Sequence, residues 1–139
     1  YIKKNSIWAI GQASVEEIDK MNVLQASLLA MKRAIKKLKK KPSYIFIDGN
    51  KIPDLKNYYL RAVIKGDQKI PSISAASIIA KVSRDKFITK LAKNNLGYGW
   101  DQNFGYGTKK HLNAIKKLGV NKHHRKTFSP IFKFKKHNI

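Results

Sequence analysis

From Ser6 to Gln12 (SIWAIGQ) the side chains alternate, with Ile7, Ala9 and Gly11 opposite Trp8 and Ile10. That period of two predicts a strand. Ser14-Val-Glu-Glu17 is a capping-box pattern and predicts a short helix. Asn22 to Gln25 repeats the same logic at the head of a longer one. Met21, Leu24, Leu28, Met31, Ile35 and Leu38 step by 3, 4, 3, 4 and 3, which lays one apolar stripe along that helix. Lys36, Lys37 and Lys39 to Lys41 suit its negative C-terminal end, and Pro42 stops it. Tyr44 to Ile47 (YIFI) is a continuous apolar run between turn residues, and predicts a fully buried strand, parallel and central. Leu60 to Ile64 (LRAVI) predicts another strand. Ser72 to Ala92, opened by Ser and rich in Ala and Ile, predicts a helix. Asn94 to Thr108 is glycine- and aromatic-rich loop. Lys109 to Leu118 predicts a short helix ended by Gly119. Asn121 to Ile139 is a basic tail with Phe128, Phe132 and Phe134 interleaved, and no internal repeat is visible.

These 139 residues suit one domain, and 42% hydrophobic residues can line its core. The periodic apolar blocks argue against full disorder. With 8 Gly and 4 Pro the chain is neither collagen-like nor of low complexity. Zero Cys excludes a disulfide scaffold, a cysteine nucleophile and thiolate metal sites, and permits a reducing compartment. The charge changes the picture most. Thirty Lys and Arg against 8 Asp and Glu give +22, which fits a polyanion partner, nucleic acid before an anionic membrane surface. The competing account is a biased genome, since 26 of the 30 basic residues are Lys. No apolar run approaches the ~20 residues of a spanning helix. The longest candidate, Ile70 to Ala80, carries Pro71 and three serines. The start shows no signal-peptide pattern.

So few carboxylates can be weighed one by one. Glu16, Glu17 and Asp19 lie near a helix N-terminus, where dipole compensation accounts for them. Asp54 and Asp101 fall in loops. Asp48 ends the YIFI strand and opens the turn Asp48-Gly49-Asn50. The carboxyl end of a central strand is where α/β proteins place ligands and catalytic groups, but an Asx-turn cap explains the residue equally well. Asp85 shares a helical stripe with Ser74, Ile78, Val82, Ile88 and Ala92, which predicts an inward side chain. A carboxylate there is ion-paired, with Lys81 or Arg84 at hand, protonated or metal-bound. Two carboxylates from a strand end and a helix could share a hard cation such as Mg²⁺, although a two-metal site takes more. The four His (His111, His123, His124 and His137) make no strong metal pattern, and His123-His124-Arg125 reads as a basic loop. No phosphate-binding loop of Walker or dinucleotide type occurs. Gly97-Tyr-Gly-Trp100 and Gly105-Tyr-Gly-Thr108 are aromatic-glycine turns. Such turns either pack on themselves or bring a ring against a sugar or base.

Taken together, the segments resemble bacterial ribonuclease HII, the type 2 ribonuclease H family. The matching stretches are ASVEEIDKMNVLQASLLAMKRA (Ala13 to Ala34), IDGNKIP (Ile47 to Pro53), IKGDQKIPSISAASIIAKVSRD (Ile64 to Asp85), GYGTKKHL (Gly105 to Leu112) and HRKTFSP (His124 to Pro130). The resemblance implies an α/β ribonuclease H-like fold, a mixed sheet flanked by helices. It implies one such domain over residues 1–130 and a basic tail over 131–139. The implied activity is metal-dependent endonucleolytic cleavage of RNA in RNA–DNA hybrids and at ribonucleotides embedded in duplex DNA, with Mg²⁺ or Mn²⁺ as cofactor. A cytoplasmic monomer is expected. Of the four carboxylates such a site uses, Asp48 matches the aspartate of the DGN motif and Asp85 the aspartate closing VSRD. Both are candidate catalytic and metal-binding residues. Tyr106 matches the tyrosine of the GYGT motif that senses the RNA–DNA junction, and Lys65 and Lys81 join it as candidate substrate-binding residues.

The departures are also specific. The family opens with a strand bearing an Asp-Glu pair in a DEAGRG-type motif, followed by a Ser-Lys-Lys motif, and neither occurs here. Tyr1 stands where the family's third strand begins. The expectation is therefore that two N-terminal strands are missing and that YIFI exposes an apolar edge. The chain alone would then bind metal weakly and cleave poorly or not at all, needing the missing segment. A smaller departure is Asn103-Phe104, where a His-Lys pair is common. The alternatives are a non-catalytic basic nucleic-acid-binding module, and a decayed or split gene product that acts only with a partner chain.

Overall fold

In the computed structural model, which describes residues 1–135, the chain folds as two compact units, one running from Tyr1 to Val82 and the other starting at Ser83. The first unit begins with a single turn, α1 (Ile2–Asn5), and an extended segment that leads into α2 (Val15–Met21) and α3 (Val23–Lys36). Next come β1 (Tyr44–Asp48), β2 (Tyr59–Val63) and a one-turn α4 (Gly66–Lys69). The boundary between units falls within α5 (Pro71–Asn94). The second unit continues with α6 (Trp100–Asn103), α7 (Lys109–Leu118) and α8 (Ile131–Lys135). His137 and the end of the basic tail lie outside the described residues.

The α2–α3 corner obeys its capping chemistry closely. Ser14 Oγ accepts from Glu17 N, and Glu17 returns a carboxylate oxygen to Ser14 N at 2.8 Å. Asn22 closes one helix and opens the next, its side chain accepting from Gln25 N at 3.1 Å. Glu17 does more than compensate a dipole. Its two oxygens meet the Arg33 guanidinium at 2.6 and 2.7 Å, a bidentate bridge from α2 to α3. That bridge and the capping bond hold the Glu17 carboxyl down at about 2.

Residues Ser6 to Gln12 are not a strand. They run extended across α3, and the carbonyls of Ile10 and Gln12 accept from Lys37 Nζ and Arg33 Nη1 rather than from a neighbouring strand. Gly11 is required for this close approach, because a Cβ there would run into the Ala30 carbonyl. Alternation alone cannot tell an extended segment on a helix from a strand in a sheet, since only a partner strand makes the difference.

β1 and β2 pair in parallel, with Tyr44 opposite Tyr59 and Asp48 opposite Val63. Among the described residues the sheet has these two strands. The parallel pairing agrees with the apolar run, but full burial and a central place do not. Ile47 is buried, whereas Phe46 is 40% and Tyr44 72% exposed, so β1 covers one face only. Ile47 packs with Ile35 of α3 and Leu55 as the core of this unit, flanked by Met31, Ile45, Tyr58 and Leu60.

In the second unit Ala92, Tyr98, Trp100, Ile115 and Ile131 form the core, with Ile88, Leu91 and Leu112 packed against it. The stripe expected along α5 is only partly inward: Ala92 is buried, but Ile78 and Val82 are exposed. The glycine-rich stretch before α7 is not all loop either, since Trp100 to Asn103, including Asp101, make one helical turn.

Candidate active site

Asp48 stands at the carboxyl end of β1, paired with the last residue of β2. The chain leaves β2 through Ile64 and Lys65 and turns into α4, whose first residue, Gly66, donates its N–H to Asp48 Oδ1 at 2.8 Å. One carboxylate oxygen is thus held by backbone, while the residue as a whole is solvent-exposed. The Asx-turn within Asp48-Gly49-Asn50 is therefore not the bond that orients it; the anchor comes from across the strand pair. Lys65 adopts the left-handed conformation (φ 53°, ψ 45°) directly before Gly66, with its side chain exposed. A non-glycine residue there costs on the order of 1 kcal/mol and marks a constrained corner. Asp48 and Lys65 are brought to one corner of the first unit. Lys81 is exposed on α5.

Asp85 belongs to the second unit and is partly buried on α5. Its Oδ1 lies 3.7 Å from Arg84 Nη1, and both atoms are shielded from water. The Arg84 guanidinium also sits 5.1 Å from the centroid of the Tyr106 ring, a cation–π approach. Arg84 therefore contacts two predicted site residues at once, Asp85 and Tyr106. Tyr106 itself is 57% exposed.

The donor types suit a hard divalent cation, since carboxylate oxygen is what Mg²⁺ or Mn²⁺ takes. The number is short of a site. Among the described residues no three His, Cys, Asp or Glu come together around one position. Asp48, with one oxygen already oriented by a backbone N–H, fits a metal ligand; a complete coordination sphere is not furnished by these residues.

Sequence reasoning missed the imidazoles. His111, on α7, is buried, and so is His124, which the basic-loop reading of His123-His124-Arg125 did not expect. Trp100 Nε1–H donates to His111 Nε2 at 3.0 Å, and His111 Nε2 lies 3.2 Å from His124 Nε2. Burial holds His124 below the usual imidazole value, with the neighbouring His111 and His123 pushing the same way and the Asn121 carbonyl, 3.3 Å from Nδ1, opposing them. The signal was in the GYGTKKH run: Thr108 caps α7 by accepting from His111 N, which points residue 111 back toward the preceding loop. Asn103, where the resemblance expected His, ties the same loop together, bonding the Tyr98 carbonyl and Gly105 N at 2.8 Å each.

Among solved structures, the crystal structure of the ribonuclease H2 from Pyrococcus horikoshii OT3 matches with a TM-score of 0.67 and 28% identity, over 89% of this chain and 66% of that one. The class is therefore an α/β protein of the ribonuclease H2 fold. A family model described as Ribonuclease HII matches residues 2–135, and the chain belongs to that family. It is 78% identical over 131 residues to the Ribonuclease HII of Pelagibacter ubique (strain HTCC1062), covering 94% of this chain and 70% of that protein. It is 50% identical over 123 residues to the Ribonuclease HII of Roseobacter denitrificans, covering 88% of this chain and 62% of that one. The chain thus spans between six and seven tenths of these relatives. Among the described residues no helix is long and apolar enough to cross a membrane.

Proposed function

We propose that the chain serves metal-dependent endonucleolytic hydrolysis of RNA paired with DNA, including single ribonucleotides within duplex DNA. The observation that carries this reading is Asp48. In a chain of this family, it is a carboxylate at the carboxyl end of a parallel strand, aimed by Gly66 N–H and open to solvent. Asp48 would be one carboxylate ligand of Mg²⁺ or Mn²⁺, and Asp85 is a second candidate ligand on the strength of its motif. The chemistry such a cation would supply when bound is activation of water and stabilisation of the leaving oxygen. Tyr106 would lie against a nucleotide sugar, with Arg84 over its ring. Lys65 and Lys81 would meet phosphates, as the net charge of +22 suits.

Four carboxylates are what the family resemblance calls for, and these 139 residues place two at matching positions. The chain alone is therefore expected to bind hybrid but not to cut it. Supplying a segment that carries a DEAGRG-type Asp-Glu pair, in cis or in trans, will restore cleavage that EDTA removes. In that restored enzyme Asp48→Asn will abolish cleavage with little loss of hybrid binding, since Asn still accepts from Gly66 N. EDTA-sensitive cutting by the purified chain alone, or wild-type rates for Asp48→Asn at limiting metal, would overturn the assignment. A second reading, a basic nucleic-acid-binding module without catalysis, is favoured by the charge alone. It predicts hybrid binding that never becomes metal-dependent cutting in any of these arms.

A further inference from the structure

The buried imidazoles lead directly to Tyr106. His111 Nδ1 lies 2.9 Å from the Tyr106 carbonyl oxygen, and that oxygen can only accept, so Nδ1 carries the proton. His111 Nε2 is then the bare nitrogen, which is what the Trp100 Nε1–H at 3.0 Å requires. On His124, Nδ1 lies 2.9 Å from Asn121 N–H and 3.3 Å from the Asn121 carbonyl; the shorter contact makes Nδ1 the acceptor, so the proton sits on Nε2 and points at His111 Nε2, 3.2 Å away. Three contacts run in sequence, Asn121 N–H to His124, His124 to His111 and His111 to Tyr106, with the Trp100 indole and the His124 imidazole sharing the single lone pair of His111 Nε2. The Tyr106 carbonyl also accepts from Thr108 N at 2.8 Å, so both of its lone pairs are used.

We propose that His111 and His124 are positioning residues: two buried imidazoles locked in opposite tautomers that fix the Tyr106 carbonyl from inside the fold and so aim the exposed ring outward. The mechanical argument is direct. Gly105 and Gly107 on either side leave the Tyr106 backbone few constraints of its own. The ring meets Arg84 outside, and the carbonyl meets His111 inside; with both ends held, the ring has one direction to face. The use of that direction, contact with a nucleotide sugar, rests on the reading of Tyr106 given under Proposed function.

The two nitrogens of His111 can be separated by substitution. Asn places its amide N–H near Nδ1 and keeps donation to the Tyr106 carbonyl, while Gln places an acceptor near Nε2 and loses that donation. In the 139-residue chain, amide hydrogen exchange at Tyr106 and Thr108, referenced to amides of α5, is expected to quicken by roughly five- to tenfold in His111→Gln, the worth of one hydrogen bond. In His111→Asn it will change by less than about twofold. A purely structural role predicts that both variants loosen the loop in step with lost stability, and that result overturns the proposal. Should His111→Gln not fold, ¹⁵N chemical shifts of the wild-type imidazoles still decide. Protons on His111 Nδ1 and His124 Nε2 support the proposal, and the reverse tautomers refute it. A separate arm tests the underlying reading by comparing binding of a duplex bearing one ribonucleotide with its all-DNA counterpart. If Tyr106→Ala leaves that ratio unchanged, the sugar contact is wrong, while the exchange and ¹⁵N data still judge the positioning. If Tyr106→Ala lowers the ratio, His111→Gln is expected to lower it as well and His111→Asn to preserve it.

Discussion

Two turns eight residues apart carry nearly the same tetrapeptide, Gly97-Tyr-Gly-Trp100 and Gly105-Tyr-Gly-Thr108, and the fold uses them in opposite ways. Tyr98 is 7% exposed. It stacks on Trp100 with centroids 5.0 Å apart, and its hydroxyl donates to the Gly119 carbonyl at 3.0 Å. Tyr106 is 57% exposed and meets the Arg84 guanidinium through its ring face. The difference lies in the fourth residue. Trp100 starts a helical turn whose large ring fills the core, whereas Thr108 caps a helix and leaves the turn before it on the surface. A glycine–aromatic turn is therefore not itself a binding signature; the residue that closes it decides whether the ring is packed or presented.

Removing the residue that makes the difference will have the largest effect. Trp100→Ala empties a core position that is 4% exposed and leaves Nε2 of His111 without its indole donor. A loss of about 3–5 kcal/mol is expected, from urea unfolding of the second unit monitored by near-ultraviolet dichroism. If Trp100→Ala costs no more than a surface substitution, the first turn is not a packing turn and the contrast fails.

The second glycine of each turn sharpens the comparison. Gly99 has φ 65°, and a Cβ there would come within 3.3 Å of Asn103 Nδ2, while Gly107 has no positive φ and open space around it. Gly99→Ala is expected to cost about 1–2 kcal/mol, and Gly107→Ala to stay within about 0.5 kcal/mol of wild type. Paired thermal melts decide this. A bare surface at Gly107 with no folding demand for glycine is what a turn approached by another molecule's backbone would show.

How much of this was legible in sequence depends on whether the cause was local. The capping box at Ser14, the N-cap at Asn22 and the Gly119 stop depend on residues within one turn, and the parallel sense of YIFI on its own apolar run; the structure has them. Ser6 to Gln12 failed because strand identity needs a partner, and its carbonyls went to Arg33 and Lys37, more than twenty residues away. The β1 burial failed for the same reason, since an apolar run does not say how many neighbours a strand has. Of the candidate residues, Asp48 and Asp85 stood out by strand-end and helix-stripe position and again by motif resemblance, and Tyr106 by its turn and the resemblance, while His111 and His124 were passed over. Thirteen residues separate the pair, and only the packing of Trp100 brings the rings together.

The third effect is smaller and specific to the presented turn. Tyr106→Ala removes an exposed ring whose partner is a guanidinium, so about 0.5–1 kcal/mol of stability is expected to go. Tyr98→Ala, by contrast, empties a core position. A melting curve for each variant checks the asymmetry, which is reversed if the exposed ring proves the costlier loss.

The smallest effect is a slope with pH, and it joins the two turns through His124, whose ring contacts Tyr98 and Trp100 on one side and reaches Tyr106 through His111 on the other. Burial lowers the folded-state pKa of His124 beneath its ordinary 6.5. The unfolded chain therefore binds its proton at a pH where the folded chain does not, and stability falls as acid is added. The contribution is fully present above 6.5 and is lost as pH drops from there through the folded value. His124→Asn retains an acceptor for Asn121 N–H but has nothing to titrate. Unfolding free energies of the wild type and this variant, measured from neutral pH down to 5, are expected to converge as the pH falls, because only the wild type loses the His124 contribution. Protection of the Tyr106 amide, with the intrinsic pH dependence of exchange divided out, is expected to fall over the same window in the wild type alone. A parallel pair of stability curves would show that His124 titrates alike in the folded and the unfolded chain, so that its burial does not hold the ring neutral.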